Sequence, residues 1–253
     1  MKSQPFIQHE MFVPLFRAGI QSGIPLYKTL FESIFNRDLS KGVSSANILM
    51  NRIDTISKKY LDFGYQDTIE TKYNEEGELV KITKSGSKKF KGDLFEIFAE
   101  LFFKILGHTK PISVIDYSPE ESIEDYGVDG FARSKTNSPL TVQCKFRSKA
   151  DSLLEERDIK QFLVQSWKKY KVNMNSKNAI LFTSCEGMYH TTEKEVFLDS
   201  ITTINIHDIR THVDRSLGFW EKVIELIDTT LFTELPEEEY NRTLTTINIF
   251  REI

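Results

Sequence analysis

The stretch GVDGFARSKTNSPLTVQCK, residues 127–145, constrains the fold more than any other part of the chain. Asp129 closes one short apolar segment, and thirteen residues separate it from Gln143-Cys144-Lys145, which closes another. Between them SKTNS carries turn chemistry. Both segments alternate as strands do, so Thr141, Gln143 and Lys145 share one face and Val142, Cys144 and Phe146 the other. The lysine and glutamine therefore point one way while the opposite face is free to pack. Upstream, GDLFEIFAELFFKILG has helical spacing and predicts a helix from Asp93, as its cap, to Leu106. Leu94, Phe98, Leu101 and Ile105 form one of its faces. Glu96 and Glu100, one turn apart, lie opposite. On periodicity alone these acids read as a solvated face, yet Phe95, Ala99 and Phe103 flank them, so that side is not plainly wet.

The elements that follow predict a mixed α/β sheet covered by helices. KPISVIDYS reads as a strand, DSLLEERDIKQFLVQSWKKY as a helix and NAILFTS as a continuous apolar strand suited to a sheet covered on both faces. TTEKEVFLDS is expected as a short helix and TINIHD as a last strand. Glu124 and Asp125 read as loop acids, and His207 and His212, five apart and without a zinc spacing, as structural or surface residues. From Leu217 onward, Trp220, Val223, Ile224, Ile227 and Leu231 make an amphipathic stripe, which packs either on its own domain or on a second subunit. TLTTINIF alternates weakly, as an edge strand would.

The first 91 residues are different in kind. Phe12, Leu15, Phe16 and Ile20 mark one helix, Pro25 opens a second, and Ser44 or Ser45 caps a third with Leu49, Ile53, Ile56 and Tyr60 along its apolar stripe. YQDTIETKYNEEGELVKITKSG then predicts a two-stranded ribbon turning around Asn74–Gly77. Charge divides along the same line. Residues 1–91 hold 14 Lys and Arg against 10 Asp and Glu, whereas residues 92–253 hold 19 against 27. The net charge of −4 argues against a polycation that coats nucleic acid. No apolar run approaches the ~20 residues of a membrane helix. The N-terminus lacks the apolar stretch of a signal peptide. Cys144 and Cys185 both sit in apolar runs and read as buried thiols, so the expected compartment is the cytoplasm.

An acid on a helix, then G-V-D, then Q-C-K resembles the PD-(D/E)XK nuclease superfamily, and the Gln variant resembles its Mrr-type restriction endonucleases. That resemblance implies a restriction-endonuclease-like mixed sheet flanked by helices over residues 92–212. It also implies a catalytic set of Glu96, Asp129, Gln143 and Lys145. Mg²⁺, with Mn²⁺ as a substitute, would be held by Asp129, Glu96 and the backbone carbonyl of Cys144. The implied activity is Mg²⁺-dependent endonucleolytic hydrolysis of duplex DNA of restriction type, modified DNA included. A homing, junction-resolving or repair nuclease, or a non-catalytic DNA-binding protein, are the other readings.

Three helices and a hairpin resemble the winged-helix domain that precedes the nuclease in Mrr-type enzymes, placed here at residues 1–91. Pro14-Leu15, Asn51-Arg52-Ile53 and Ile82-Thr83-x-x-Gly86 carry the likeness. On this reading Asn51 and Arg52 reach base edges, while Lys84, Lys88, Lys89, Lys91 and Arg147 meet phosphates. Residues 213–253 form a C-terminal helical extension. The expected partners are double-stranded DNA and a second copy of the chain in a homodimer, with no membrane.

Overall fold

The computed structural model describes residues 45–74, 76–120, 127–173, 176–189 and 201–231, the side chains of 227–231 excepted. The two helices expected before residue 44, the loop acids Glu124 and Asp125, the helix expected at 191–200 and the strand expected near the C-terminus lie outside the described residues.

The first described helix, α1 (Ala46–Ile56), starts where the sequence places it. The Ser45 hydroxyl accepts from the Ile48 N–H at 3.3 Å and satisfies one orphan donor of the first turn. Ala46, Leu49 and Ile53, spaced for one face, are buried. A 3₁₀ stretch (Ser57–Phe63) ends at Gly64, and the chain then forms an antiparallel ribbon of β1 (Thr68–Tyr73) and β2 (Leu79–Lys84). Both faces of this ribbon are largely exposed.

The next helix, α2, spans Gly86–Leu106, seven residues longer at its start than its apolar pattern suggests. Its cap is Ser85, whose hydroxyl accepts from Lys88 N–H at 3.4 Å; Asp93 is an interior residue and its carboxylate accepts from the Tyr65 hydroxyl at 2.6 Å. Ser85-Gly86, which follows the ribbon directly in sequence, thus starts the helix in place of Asp93. The boundary expected between residues 91 and 92 falls inside this helix. The two sides of that line share one core: Ala46, Leu49, Ile53 and Tyr65 cluster with α2 and with sheet residues Val142, Ile180 and Phe182. Polar contacts tie them as well. Lys91 reaches Asp54 at 2.5 Å and Ser148 at 3.0 Å, and the Ala46 N–H donates to Asp214 at 2.9 Å.

The sheet has five strands in the order β3 (Val114–Pro119), β4 (Gly130–Ser134), β5 (Pro139–Lys145), β7 (Ala179–Thr183) and β9 (Ile201–Ile204). The β3–β4–β5 half is antiparallel and the β5–β7–β9 half parallel. Every residue of β7 is buried, as expected for a strand covered on both faces. On one face Phe182 is ringed by Phe95, Phe98, Phe102 and Phe103 of α2, with centroids 5.0–6.0 Å away. Such pairs each contribute about 0.5–1.5 kcal/mol beyond burial, and they fix the rotation of α2 on the sheet. On the other face Leu181, Ala179 and Val128 pack against Phe162 and Leu163 of α3 (Lys160–Lys168).

The helix expected over 151–170 is shorter than its pattern. Leu153–Leu154 pairs in parallel with Gly187–Met188, as strands β6 and β8, and Glu156–Asp158 is a 3₁₀ turn. Glu155 and Asp158 cap that turn reciprocally, which diverts the chain until Lys160. After β9, Asn205 caps α4 (Ile206–Asp214), and α5 spans Phe219–Leu231. Trp220 and Val223 are buried and Trp220 stacks on Phe98 at 6.5 Å, so at these positions the apolar stripe of α5 packs on its own domain. Among the described residues no helix is long and apolar enough to cross a membrane.

Candidate active site

Asp129 stands immediately before β4, where the ladder to β5 ends. Its N–H donates to the Val142 carbonyl at 2.9 Å, and its carboxylate Oδ2 accepts from the Cys144 N–H at 2.6 Å. A side chain thus replaces the next rung of the ladder. Thr141 bonds toward β7 through its N–H to Asn178, and the Lys145 carbonyl accepts from Thr183 and Ser184. Alternation therefore turns the main-chain groups of Val142 and Cys144 toward β4. The Cys144 carbonyl lies beyond the last rung, on the same edge as Asp129.

The two glycines of G-V-D-G have separate reasons. Gly127 has φ +71°, and a Cβ there would lie 3.3 Å from the backbone N of Phe162 in α3 and 3.4 Å from Gln143 Nε2. Gly130 lies under the Tyr117 phenol, which would overlap any side chain at that position. Tyr117, fully buried against Phe103 at 4.9 Å, was not singled out by the sequence. Pro119, not Tyr117, is the cross-strand partner of Gly130, and Tyr117 lies in the register shift between Ile115 and Ser118, so its place over the glycine is visible only once that irregularity is known.

Glu96 and Asp129 are brought into one electrostatic neighbourhood. Burial pushes the Cys144 thiol well up, and the charges of Asp129 and Glu96 push it further, while Lys145 opposes them. The Tyr117 phenol is raised by burial, then by Cys144, Glu100, Asp129 and Glu96. The acid on α2, the acid before β4 and the lysine of β5 thus act on the same buried point. Gln143 is 3% exposed, and its Oε1 receives no hydrogen bond. A buried amide oxygen without a donor is costly and is the kind of acceptor a cation or its bound water satisfies. Among the described residues no three His, Cys, Asp or Glu side chains converge as a metal cluster. The expected donor set does not require one, since it uses two carboxylates, a main-chain oxygen and a neutral amide.

Compared with known protein families, with characterised proteins and with solved structures, the chain matches none.

Glu100 is the more buried of the two helix acids, at 1% exposure, and desolvation raises its pKa to about 7 against the pull of Lys104. The Lys104 ammonium stands 3.0 Å from Oε1, yet neither oxygen receives an aligned hydrogen bond. The solvated-face reading therefore fails for Glu100, because aromatic residues on both flanks of α2 are buried. A cavity of about 710 Å³ lies between Lys104 of α2, His108 just past the end of that helix, β3 and Phe131. Asp129, Gln143 and Lys145 do not line that cavity.

The residues expected to contact DNA are dispersed. Asn51 is exposed on α1 and Arg52 is half-buried. Lys84 is paired with Glu70 at 2.5 Å within the ribbon. Lys88 and Lys89 are exposed on the first turn of α2 and belong to the helix, not to a wing. The Arg147 guanidinium is held by Asp158 at 3.1 Å and by the Phe146 carbonyl at 3.3 Å. His207 is exposed on α4, 3.8 Å from Glu186, and His212 packs edge-on to Phe102 at 6.5 Å.

Proposed function

We propose that the chain is a Mg²⁺-dependent DNA endonuclease of restriction type, built on a restriction-endonuclease-like sheet behind a winged-helix front. The observation that carries this reading is the end of the β4–β5 ladder. There Asp129 bonds the Cys144 N–H, beside Gln143 with its orphaned oxygen and Lys145. Asp129, the Cys144 carbonyl and Glu96 would hold the cation, with Gln143 as a neutral ligand or orienting group. Bound there, the cation supplies charge neutralisation on the scissile phosphate and polarises the attacking water.

The chain's own residues do the rest. Gln143 brings no charge, so Glu96 and Asp129 are the two anions that balance the cation. The bond from Cys144 N–H fixes one Asp129 oxygen and so orients the carboxylate. Lys145, one residue past Cys144 on the same strand, holds positive charge where the phosphate gathers negative charge in the transition state. Cleavage of both strands of a duplex calls for two such sites, most simply in a two-fold homodimer.

The test is nicking of supercoiled plasmid in Mg²⁺ and in EDTA by the parent chain, Lys145→Ala and Asp129→Ala. Nicking is expected only from the parent with Mg²⁺. Loss of one transition-state donor is worth roughly 10²–10³ in rate, which a gel resolves. If Lys145→Ala nicks at the parental rate, the motif is not catalytic, and a non-catalytic DNA-binding protein becomes the better account.

A further inference from the structure

Residues 160–177 form a basic island in the acidic part of the chain. They contain Lys160, Lys168, Lys169, Lys171 and Lys177 and no Asp or Glu, although the chain as a whole carries −4. Helix α3 runs through this island. Its inner face is spent on the sheet, where Phe162, Leu163 and Ser166 are buried. Its outer face carries Lys160, Val164, Trp167 and Lys168, spaced four, three and one residues apart and so on one stripe.

Trp167 is 61% exposed and Val164 38%. The other tryptophan, Trp220, is 8% exposed. Tryptophan presents the largest apolar area of any side chain, and most of that of Trp167 is left open to water beside lysines. The start of α3 lies near the candidate active site, because a Cβ on Gly127, two residues before Asp129, would stand 3.3 Å from the backbone N of Phe162. Helical rise puts Trp167 about 8 Å further along the axis.

Resting on the nuclease reading, we infer that the outer face of α3 is a docking track for an unpaired stretch of nucleic-acid strand. One base stacks on Trp167, and phosphates lie against Lys160, Lys168 and Lys171. A duplex offers the indole no open base face, whereas a single strand does. The lysines supply the sequence-independent electrostatic part of the affinity.

The experiment measures binding of a fluorescein-labelled 20-nucleotide oligo-dT and of a matched 20-base-pair duplex in EDTA, where no hydrolysis occurs. It compares the parent chain, Trp167→Ala, Trp167→Phe and Lys160→Gln/Lys168→Gln/Lys171→Gln. Oligo-dT should quench the intrinsic fluorescence of the parent, since Trp167 is the exposed indole. Trp167→Ala should weaken oligo-dT binding roughly tenfold to a hundredfold, as loss of one stacked base does, and leave duplex affinity within twofold. Trp167→Phe should retain most of the affinity. The triple Gln variant should flatten the salt dependence by about two units of slope.

Parental oligo-dT affinity in Trp167→Ala, equal losses on duplex and single strand, or no oligo-dT binding by the parent each overturn the inference. So does a self-association in light scattering that Trp167→Ala abolishes without changing oligo-dT affinity, since the stripe would then serve a second copy. Failure of the nuclease reading is seen separately, as plasmid nicking that ignores Lys145→Ala.

Discussion

Glu100→Gln should stabilise the protein, increasingly so as pH rises from about 4.5 to about 7. In the folded chain the Glu100 carboxyl has a pKa of about 7, while its ordinary value is 4.5; burial causes the rise, and Lys104 only partly offsets it. The folded state therefore holds the proton more tightly than the unfolded chain, so stability falls as pH rises between these values. The penalty is absent below 4.5 and complete above 7. At 1.36 kcal/mol per pH unit the span amounts to about 3 kcal/mol. Glutamine keeps the size of the side chain and cannot ionise, and Lys104, with a quarter of its side chain exposed, turns to water. Urea unfolding of parent and variant, followed by circular dichroism from pH 5 to 8.5, gives the difference directly. It should be about 1 kcal/mol at pH 5, reach about 3 kcal/mol in favour of Gln by pH 8 and then level. A difference independent of pH, or one favouring Glu at pH 8, would refute the argument that Glu100 is buried without compensation.

Other substitutions probe separate parts of the same frame. Gly130→Ala places a methyl in the Tyr117 phenol and should cost about 1–3 kcal/mol in urea unfolding, with Tyr117→Phe/Gly130→Ala recovering part of it. Val223→Asp should cost roughly 3 kcal/mol or more, since Val223 is fully buried in the domain core; parental stability with a changed mass in light scattering would instead put that face at an interface. Lys88→Ala/Lys89→Ala should flatten the salt dependence of duplex binding by about two units of slope, while Lys84→Ala, already paired with Glu70, should change it less.

How much of this was legible depended on whether a residue's role is local. Ser45 as a cap, the ribbon turning at Asn74–Gly77, the strand ending in Gln143 and Lys145, and the apolar strand 179–183 all follow from neighbours in sequence, and the structure has them. The longer α2 and the shorter α3 did not follow. Ser85 competes with the ribbon for assignment, and Glu155 with Asp158 make a local cap inside an otherwise helical pattern. Tyr117 was beyond reach because its place over Gly130 comes from a register shift in the β3–β4 pair. The burial of Glu100 was hidden for a related reason. A helix wheel shows which residues share a side, but not that a sheet covers one side and α1 and α5 the others.

The continuity of α2 has a mechanical consequence. A helix of 21 residues is about 32 Å long and bends little without a proline, and none interrupts it. Lys91, clamped to Asp54 and Ser148, also prevents it from rolling. The described front and body of the chain therefore have no hinge at residue 91, and a protease has no linker to cut there. Lys89 and Glu96 sit seven residues apart on this rod, about 10 Å along its axis. A ligand gripped at the start of the helix is thus measured off against the acid at its centre by a ruler of fixed length.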